Sequence, residues 1–473
     1  MIVTQSLFDR QPGQLWWKHK HKPLQISIIE KINMKIINII LICFATFLAG
    51  LSLSILTPFY PTEALSKGVT VSQTGIVLSS VFVATIIFTP VCGKYMQLLG
   101  ARKFLILGSL VVGVGNAAFG LLQNVEHHLM FLVLSILINV VIAMGGSCVA
   151  PAAYTLAGNQ LSEEHRGKGI ALAETCYGIG TMFGPTAGGV LFDYGGFLLP
   201  FAVTGVMMIS VSVLSVFFLE DCRSEEEEDG HQISVTWWEI LSAPGVGVSV
   251  LALMMAGVGW AWYSASLEPF LKHKYNLSAS QTGLVFMAFG LSYTVFTPLI
   301  GYMTDKGMDG LLAMIIGNFI IFLGFVFLGP APPLKMIASV NITITALGLQ
   351  GLGSAFTYIG TLLYMMKAVL DSGLPDKEQT RGMVSSLWVI ADCVGGYIGS
   401  SLGSMAYDKY GFESGTMMVG GVMLITVIMM VIYLGVKMTR VRMVNSYQRE
   451  TQKLLVNKAT RENNNYGTQT IEV

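Results

Sequence analysis

Charge is what this 473-residue chain most lacks: Asp, Glu, Lys and Arg make up only 12% of it, about half the usual share of a soluble domain. So little charge cannot coat the roughly three soluble domains that the length alone would suggest. The formal net charge is +0, which leaves no global attraction to nucleic acid. Cysteine is scarce too. Cys43, Cys92, Cys148, Cys176 and Cys393 fall in or beside apolar runs and Cys222 in a polar loop, so none is placed for a lumenal disulfide. No CxxC and no Cys/His cluster marks a metal site, and nothing in the chain asks for a cofactor. GxSxG, Walker A and glycine-rich phosphate loops are missing as well, and no soluble stretch is long enough for a nucleotide-binding domain. Enzymatic chemistry and transport driven directly by ATP are therefore not expected.

Apolar runs are what is present. Hydrophobic residues reach 53%, interspersed with 52 glycines, in stretches of about 20 residues separated by short polar breaks. That pattern predicts an all-α membrane protein with 12 transmembrane helices, starting near residues 36, 71, 104, 129, 167, 197, 243, 280, 310, 338, 382 and 413. Residues 1–35 are polar and basic, and the first span is too long for a signal-peptide core, so no cleavable signal is expected. With both termini cytosolic, five of the 28 Lys and Arg lie outside, namely Lys67, Lys272, Lys274, Lys335 and Lys409; the other 23 lie inside, which sets the orientation.

The chain repeats itself. Ser72-Gln73-Thr74-Gly75-Ile76-Val77, followed by Phe88-Thr89-Pro90 and Gly93, returns 208 residues on as Ser280-Gln281-Thr282-Gly283-Leu284-Val285, followed by Phe296-Thr297-Pro298 and Gly301. Arg166-Gly167, Gly184, Gly188 and Asp193 return as Arg381-Gly382, Gly399, Gly403 and Asp408 at an offset of 215. Chance likeness among apolar helices explains isolated glycines but not shared polar words. Two six-helix bundles follow, 36–219 and 243–436, and a repeated membrane half usually means a transporter with its binding site at the repeat interface. Between them, residues 220–242 form an acidic cytosolic linker that begins Glu220-Asp221 and carries Glu225 to Glu228, a self-repelling spacer. Trp237 and Trp238 suit the bilayer surface before span 7. Residues 437–473 lack sustained apolar periodicity and are expected to be a disordered cytosolic tail.

Two loops and one span carry a family resemblance. Gly93-Lys94-Tyr95-Met96-Gln97-Leu98-Leu99-Gly100-Ala101-Arg102-Lys103 resembles the GxxxD(R/K)xGRR loop of the major facilitator superfamily, with Gln97 and Leu98 in place of the acid and base. The second copy, Gly301-Tyr302-Met303-Thr304-Asp305-Lys306, keeps both, and the resemblance implies a cytosolic latch at Asp305 and Lys306. A tight turn with positive-inside charge explains the same loops on physical grounds alone. In span 5, Gly180-Thr181-Met182-Phe183-Gly184-Pro185-Thr186-Ala187-Gly188-Gly189 resembles the GxxxGPxxGG signature of the superfamily's exchangers. Glycines four apart admit a neighbouring backbone, and Pro185 removes a hydrogen bond.

Within that superfamily the chain is similar to the vesicular amine transporters, and to their polyamine branch above all. The words that carry this are Pro58-Phe59-Tyr60-Pro61-Thr62-Glu63-Ala64, Ala173-Glu174-Thr175, Leu267-Glu268-Pro269 and Tyr275-Asn276-Leu277. The likeness implies the major facilitator fold and a vesicular, acidic-organelle membrane. It departs from the monoamine members at Ala49, where they carry an acid, and from the superfamily's basic fourth-span residue at Asn139.

Ionisable residues inside spans are expected to do the work, since a carboxylate in hydrocarbon costs several kcal/mol without a cavity or partner. Glu174 in span 5 and Asp392 near the middle of span 11 are the main candidates. Glu268, in the lumenal third of span 7, also reads as an ordinary solvated carboxylate. A buried acid can hold either a proton or an amine, and that competition couples the two. Trp260 and Tyr263 share a helix face where an ammonium could be held by cation-π attraction of about 0.5–2 kcal/mol, and Trp388 lies one turn before Asp392. Aromatic pairs in membrane helices also serve as packing or interface anchors.

Three functions therefore stand at this point: proton-coupled antiport of organic cations, polyamines or related amines, into acidic vesicles; a broad drug/proton antiporter at another membrane; and a non-transporting receptor or scaffold of the same fold. In the tail, Glu450, Leu454 and Leu455 resemble an acidic dileucine signal for a vesicle-sorting adaptor. Asn276-Leu277-Ser278 is a glycosylation acceptor close to the membrane.

Overall fold

A computed structural model of the chain describes residues 17–160, 166–219, 236–328, 339–375 and 378–467. The acidic run from Glu220, with Cys222, and Lys335 lie outside the described residues, as do the side chains of Gln97, Asp305, Leu454 and Leu455.

Every element among the described residues is helical. In hydrocarbon no water satisfies backbone N–H and C=O groups, so each crossing must bond itself. The order is α1 (Trp17–Ser54), α2 (Tyr60–Ser66), α3 (Val71–Leu99), α4 (Ala101–Gly120), α5 (His128–Gln160), α6 (Arg166–Gly195), α7 (Leu198–Phe218), α8 (Trp237–Ser242), α9 (Val246–Tyr275), α10 (Ala279–Asp305), α11 (Gly310–Leu328), α12 (Val340–Asp371) and α13 (Glu378–Gly467). Among the described residues, ten helices are long and apolar enough to cross a membrane. The last of these, Thr380–Arg440, holds two crossings, because α13 turns at Gly411, where φ is 77°. Helix α6 brings the crossings among the described residues to twelve; its 30 residues include Glu174 and eight glycines, which dilute its apolarity.

The tail differs from expectation. Instead of losing structure after residue 436, α13 continues to Gly467. The segment from Lys437 to Tyr466 contains neither proline nor glycine and is built largely of Lys, Arg, Glu, Gln, Leu and Asn, so nothing in it stops a helix already started.

The repeated polar word is a helix start. Thr70 Oγ1 accepts from Gln73 N at 3.3 Å while Gln73 Oε1 accepts from Thr70 N at 3.0 Å, a capping box that opens α3. In the second copy Ser278 Oγ accepts from Gln281 N at 3.3 Å and Gln281 Oε1 accepts from Ser278 N at 3.0 Å, opening α10 in the same way. The glutamine recurs because each helix has the same four orphan N–H groups to satisfy.

The described helices gather into two compact units. One holds Met1–Gln232 together with Glu268–Gly290; the other holds Ile233–Leu267 and Leu291–Val473. In the first, α1 breaks after Ser54 and resumes as α2, with Pro58 in the break and Pro61 in the first turn. Around that break Phe59, Tyr60, Phe119, Phe131, Phe197 and Phe201 form one aromatic core, with Phe59 stacked 4.7 Å from Phe192. Lys67 pins α2 to the α4–α5 connection: its Nζ donates to Leu122 O at 3.1 Å, Gln123 O at 2.8 Å and Val125 O at 2.9 Å, and lies 4.8 Å over the Phe131 ring. Cys92 of α3 and Cys148 of α5 bring their sulfurs to 3.0 Å, both as free thiols.

In the second unit, small residues set the seam between α11 and α12. Gly310 faces Gly360, Gly317 faces Gly353, and Gly324 faces Ala346 and Gln350, with backbone oxygens 2.6 to 3.0 Å from where a Cβ would stand. Packing of this kind replaces the hydrophobic drive that is absent between helices in lipid. Asn318 Nδ2 crosses the seam to Thr357 Oγ1 at 3.2 Å. Helix α8 seats Ile240 in the core and leaves Trp237 and Trp238 exposed.

Candidate functional site

Asp392 stands half-buried in α13, with Ala391 and Cys393 buried on either side. Tyr358 of α12 donates its hydroxyl hydrogen to Asp392 Oδ1 at 2.5 Å. Around that phenol the rings are ordered. Trp388, one helical turn before Asp392, meets Tyr358 edge-on at 5.4 Å, and Tyr293 of α10 meets it edge-on at 6.1 Å. Trp388 is itself fixed, its Nε1 donating to Thr361 Oγ1 at 3.2 Å. From the α9 side Gly257 lets the backbone close in, because a Cβ there would lie 3.1 Å from Asp392 Oδ1. A carboxylate, a phenol and two flanking rings thus share one corner of the second unit.

Sequence reasoning named Asp392 and Trp388 in this group but missed Tyr358 and Tyr293. A tyrosine in an apolar helix has no spacing signature; the only hint was the polar run Thr357, Tyr358, Thr361 on one face of α12. Tyr263 is buried near Tyr358, close enough to act on it electrostatically, while Trp260 is half-buried. The tryptophan between them, Trp262, is wholly buried: its Nε1 donates to Thr416 Oγ1 at 3.2 Å and its ring lies under Gly403 and Gly415.

The first unit holds two acids. Glu174 is exposed on α6, with Tyr154 of α5 close enough to interact with it electrostatically. Glu268 corrects the surface reading of that position: it is only 3% exposed, Thr62 donates its hydroxyl hydrogen to Oε1, and Oε2 is buried without a hydrogen-bond partner. Its chain neighbours Leu267 and Leu271 are wholly buried, so this stretch of α9 faces the protein interior despite lying near the helix end. Asn139 is buried and donates to Val77 O at 3.3 Å, tying α5 to α3.

The glycine motif of α6 meets two neighbours. A Cβ at Gly180 would lie 1.9 Å from Phe47 O, at Gly184 2.9 Å from Leu51 O, and at Gly188 2.4 Å from Ile55 O, so α1 runs against these three turns. On another side Gly189 faces Ala279 O at 2.2 Å, Gly283 faces Pro185 O at 2.4 Å, and Thr186 Oγ1 donates to Gly283 O at 3.1 Å. Asp193 completes that contact: its Oδ2 accepts from Ser280 N at 2.9 Å and from Ser280 Oγ at 2.5 Å, capping α10 from another helix. Elsewhere Lys306 lies 4.7 Å over the Tyr302 ring, one turn back on its own chain segment.

Twelve crossings in two repeats, with acids held inside the spans, define a multi-pass membrane transporter rather than an enzyme. Residues 42–249 and 249–464 each match the model of the Major Facilitator Superfamily, and the chain belongs to that family. The mouse MFS-type transporter SLC18B1 is 28% identical over 370 residues, which cover 78% of this chain and 79% of that protein. Multidrug resistance protein 2 of Bacillus subtilis (strain 168) is 22% identical over 360 residues, covering 67% of this chain and 88% of the bacterial one. Among solved structures, a bacterial homolog of the human lysosomal transporter Spinster superposes with a TM-score of 0.67 at 14% identity, over 85% of this chain and 95% of that one.

Proposed function

We propose that this transporter exchanges protons for organic cations, polyamines or related amines, by alternating access, carrying them from the cytosol into acidic vesicles. The observation that carries this reading is the Asp392 corner, where a carboxylate sits beside the edges and faces of Tyr358, Trp388 and Tyr293. A carboxylate supplies the countercharge of an ammonium and the rings supply cation-π attraction, while the half-buried setting keeps water from screening either. Glu174 and Glu268 give the first unit two further acids, and the unpartnered Oε2 of Glu268 is a natural resting place for a proton.

Coupling follows from competition. Ionised, an acid holds the cationic cargo; once it is protonated in an acidic lumen the attraction falls and the cargo leaves. The glycine seam of α6 against α1 and α10, and the Asp193 cap on α10, would act in the gating, with Asp305 and Lys306 at the opposite ends of the helices. The vesicular address rests on the resemblance to vesicular amine transporters and on the tail, where Glu450 is exposed on α13.

Uptake of labelled spermidine into proteoliposomes with an acid interior tests the reading. Abolition by a proton ionophore, and loss in the Glu174→Gln and Asp392→Asn variants with folding intact, is the expected result. No uptake by well-folded protein would overturn it. The likeness to Multidrug resistance protein 2 favours a second reading, broad drug/proton exchange, which predicts equal competition by unrelated cations.

A further inference from the structure

We infer that Tyr358 makes the Asp392 corner selective for cations that carry N–H groups, primary and secondary ammonium, over quaternary ammonium. The inference rests on the amine-exchange reading above and adds a substrate class to it. Cation-π attraction alone makes no such distinction, since rings hold a quaternary nitrogen as readily as a primary one. The phenol does. Its hydroxyl is aimed at Oδ1 by two edge-on neighbours, Tyr293 and Trp388, and Trp388 is held in turn by Thr361. Gly257 brings the α9 backbone against the same oxygen, so the carboxylate has little freedom to turn away.

An ammonium with two or more hydrogens can donate at once to the carboxylate and to a phenol lone pair, leaving every polar atom of the corner bonded. A trimethylammonium has no hydrogen to give. Its methyl shell holds the charge away from Oδ1 and leaves the phenol lone pair buried and unmet, the kind of loss by which a hydrogen-bonding site rejects an analogue. A tyrosine and an acid also approach each other in the other unit. There Tyr154 of α5 lies close enough to Glu174 of α6 to interact with it, on the successive spans that correspond to those of Tyr358 and Asp392. The two acids are not copies of one another, because at the 215-residue offset Glu174 corresponds to Val389.

The experiment compares propylammonium with propyltrimethylammonium as competitors of labelled spermidine uptake in proteoliposomes. The wild-type protein is expected to prefer the primary amine by about tenfold or more. Tyr358→Phe keeps both ring contacts and removes only the hydroxyl, so the ratio should fall towards one. A wild-type ratio near one, or an unchanged ratio in Tyr358→Phe, overturns the inference while leaving amine exchange standing. If the wild type shows no uptake, the exchange reading fails, and the same two amines are compared by the thermal shift each gives the purified protein; absence of any difference there overturns this inference too. Should Tyr358→Phe not fold, Thr361→Val removes the hydroxyl that holds Trp388 against the phenol, the ratio should again fall, and an unchanged value overturns the inference.

Discussion

Replacing Gly180 with alanine puts a methyl carbon 1.9 Å from Phe47 O and 2.9 Å from both Leu51 N and Phe47 C, all backbone atoms of α1. None of them can swing aside as a side chain would. To reach ordinary contact the two helices must part by about 1.5 Å. That shift does not stay local, because Gly50 faces Tyr177 O at 2.2 Å, Gly184 faces Leu51 O at 2.9 Å and Gly188 faces Ile55 O at 2.4 Å along the same seam. Overpacking of this kind costs about 1–3 kcal/mol, against a gain of about 0.5–1 kcal/mol for alanine over glycine in a helix. Gly178 supplies the control: two residues away on the same helix, it has nothing within 4 Å of its would-be Cβ, so alanine there should bring only the gain. The helix gain is common to both variants and cancels, so Gly180→Ala should lie below Gly178→Ala by the overpacking cost, about 1–3 kcal/mol. Tryptophan fluorescence during heating, in one detergent and at one scan rate, ranks them. A Gly180→Ala protein that melts at or above Gly178→Ala would refute the close-packed seam.

Other outcomes follow from contacts that lie elsewhere. Lys67→Met strands three carbonyls at the α4–α5 connection and should cost about 1–3 kcal/mol, read as a lower melting temperature than Lys274→Met, whose ammonium lies over Phe270 on its own helix. Asp193→Asn and Ser280→Ala should be non-additive, with a coupling of about 0.5–1.5 kcal/mol in a double-mutant cycle of thermal stability; simple additivity would show that the trans cap carries no energy. At α8, hydrogen bonds from the backbone N–H and side chain of Thr236 hold the Glu239 carboxyl below the usual glutamate range. Its cap is therefore fully present above the unfolded-state value and is lost as the pH falls through the lower folded one. The protection of residues 237–242 against hydrogen exchange, relative to the unfolded chain at the same pH, should fall on acidification, and Thr236→Ala should remove that dependence.

The spans and their duplication were legible because lipid enforces both: long apolar runs are the only segments that cross, and each new helix needs a start signal. Helix α6 shows the limit of hydropathy alone. Its glycines and Glu174 weaken the apolar signal, and only its repeat partner and motif mark it as a crossing. Individual acids were legible because a charge in a span is rare, but their surroundings were not. Glu268 read as solvated from its distance to the helix end, whereas it is buried and bonded to Thr62, 206 residues away in the chain. Tyr358 and Tyr293 could not be found, since what makes them matter is an approach between helices 34 or more residues apart in the chain. The helical tail was missed for the opposite reason, a local pattern without apolar period that still contains no breaker.

The matching Gln73 and Gln281 boxes have a consequence for how such carriers diverge. What the two halves still spell alike is punctuation and packing, the capping glutamines, the seam glycines and the Asp193/Asp408 pair, whereas Glu174 and Asp392 correspond at the 215-residue offset to Val389 and Tyr177. Architecture and appetite are thus encoded in separate letters of this chain. A descendant could change its cargo by rewriting a handful of interior positions without disturbing a single boundary.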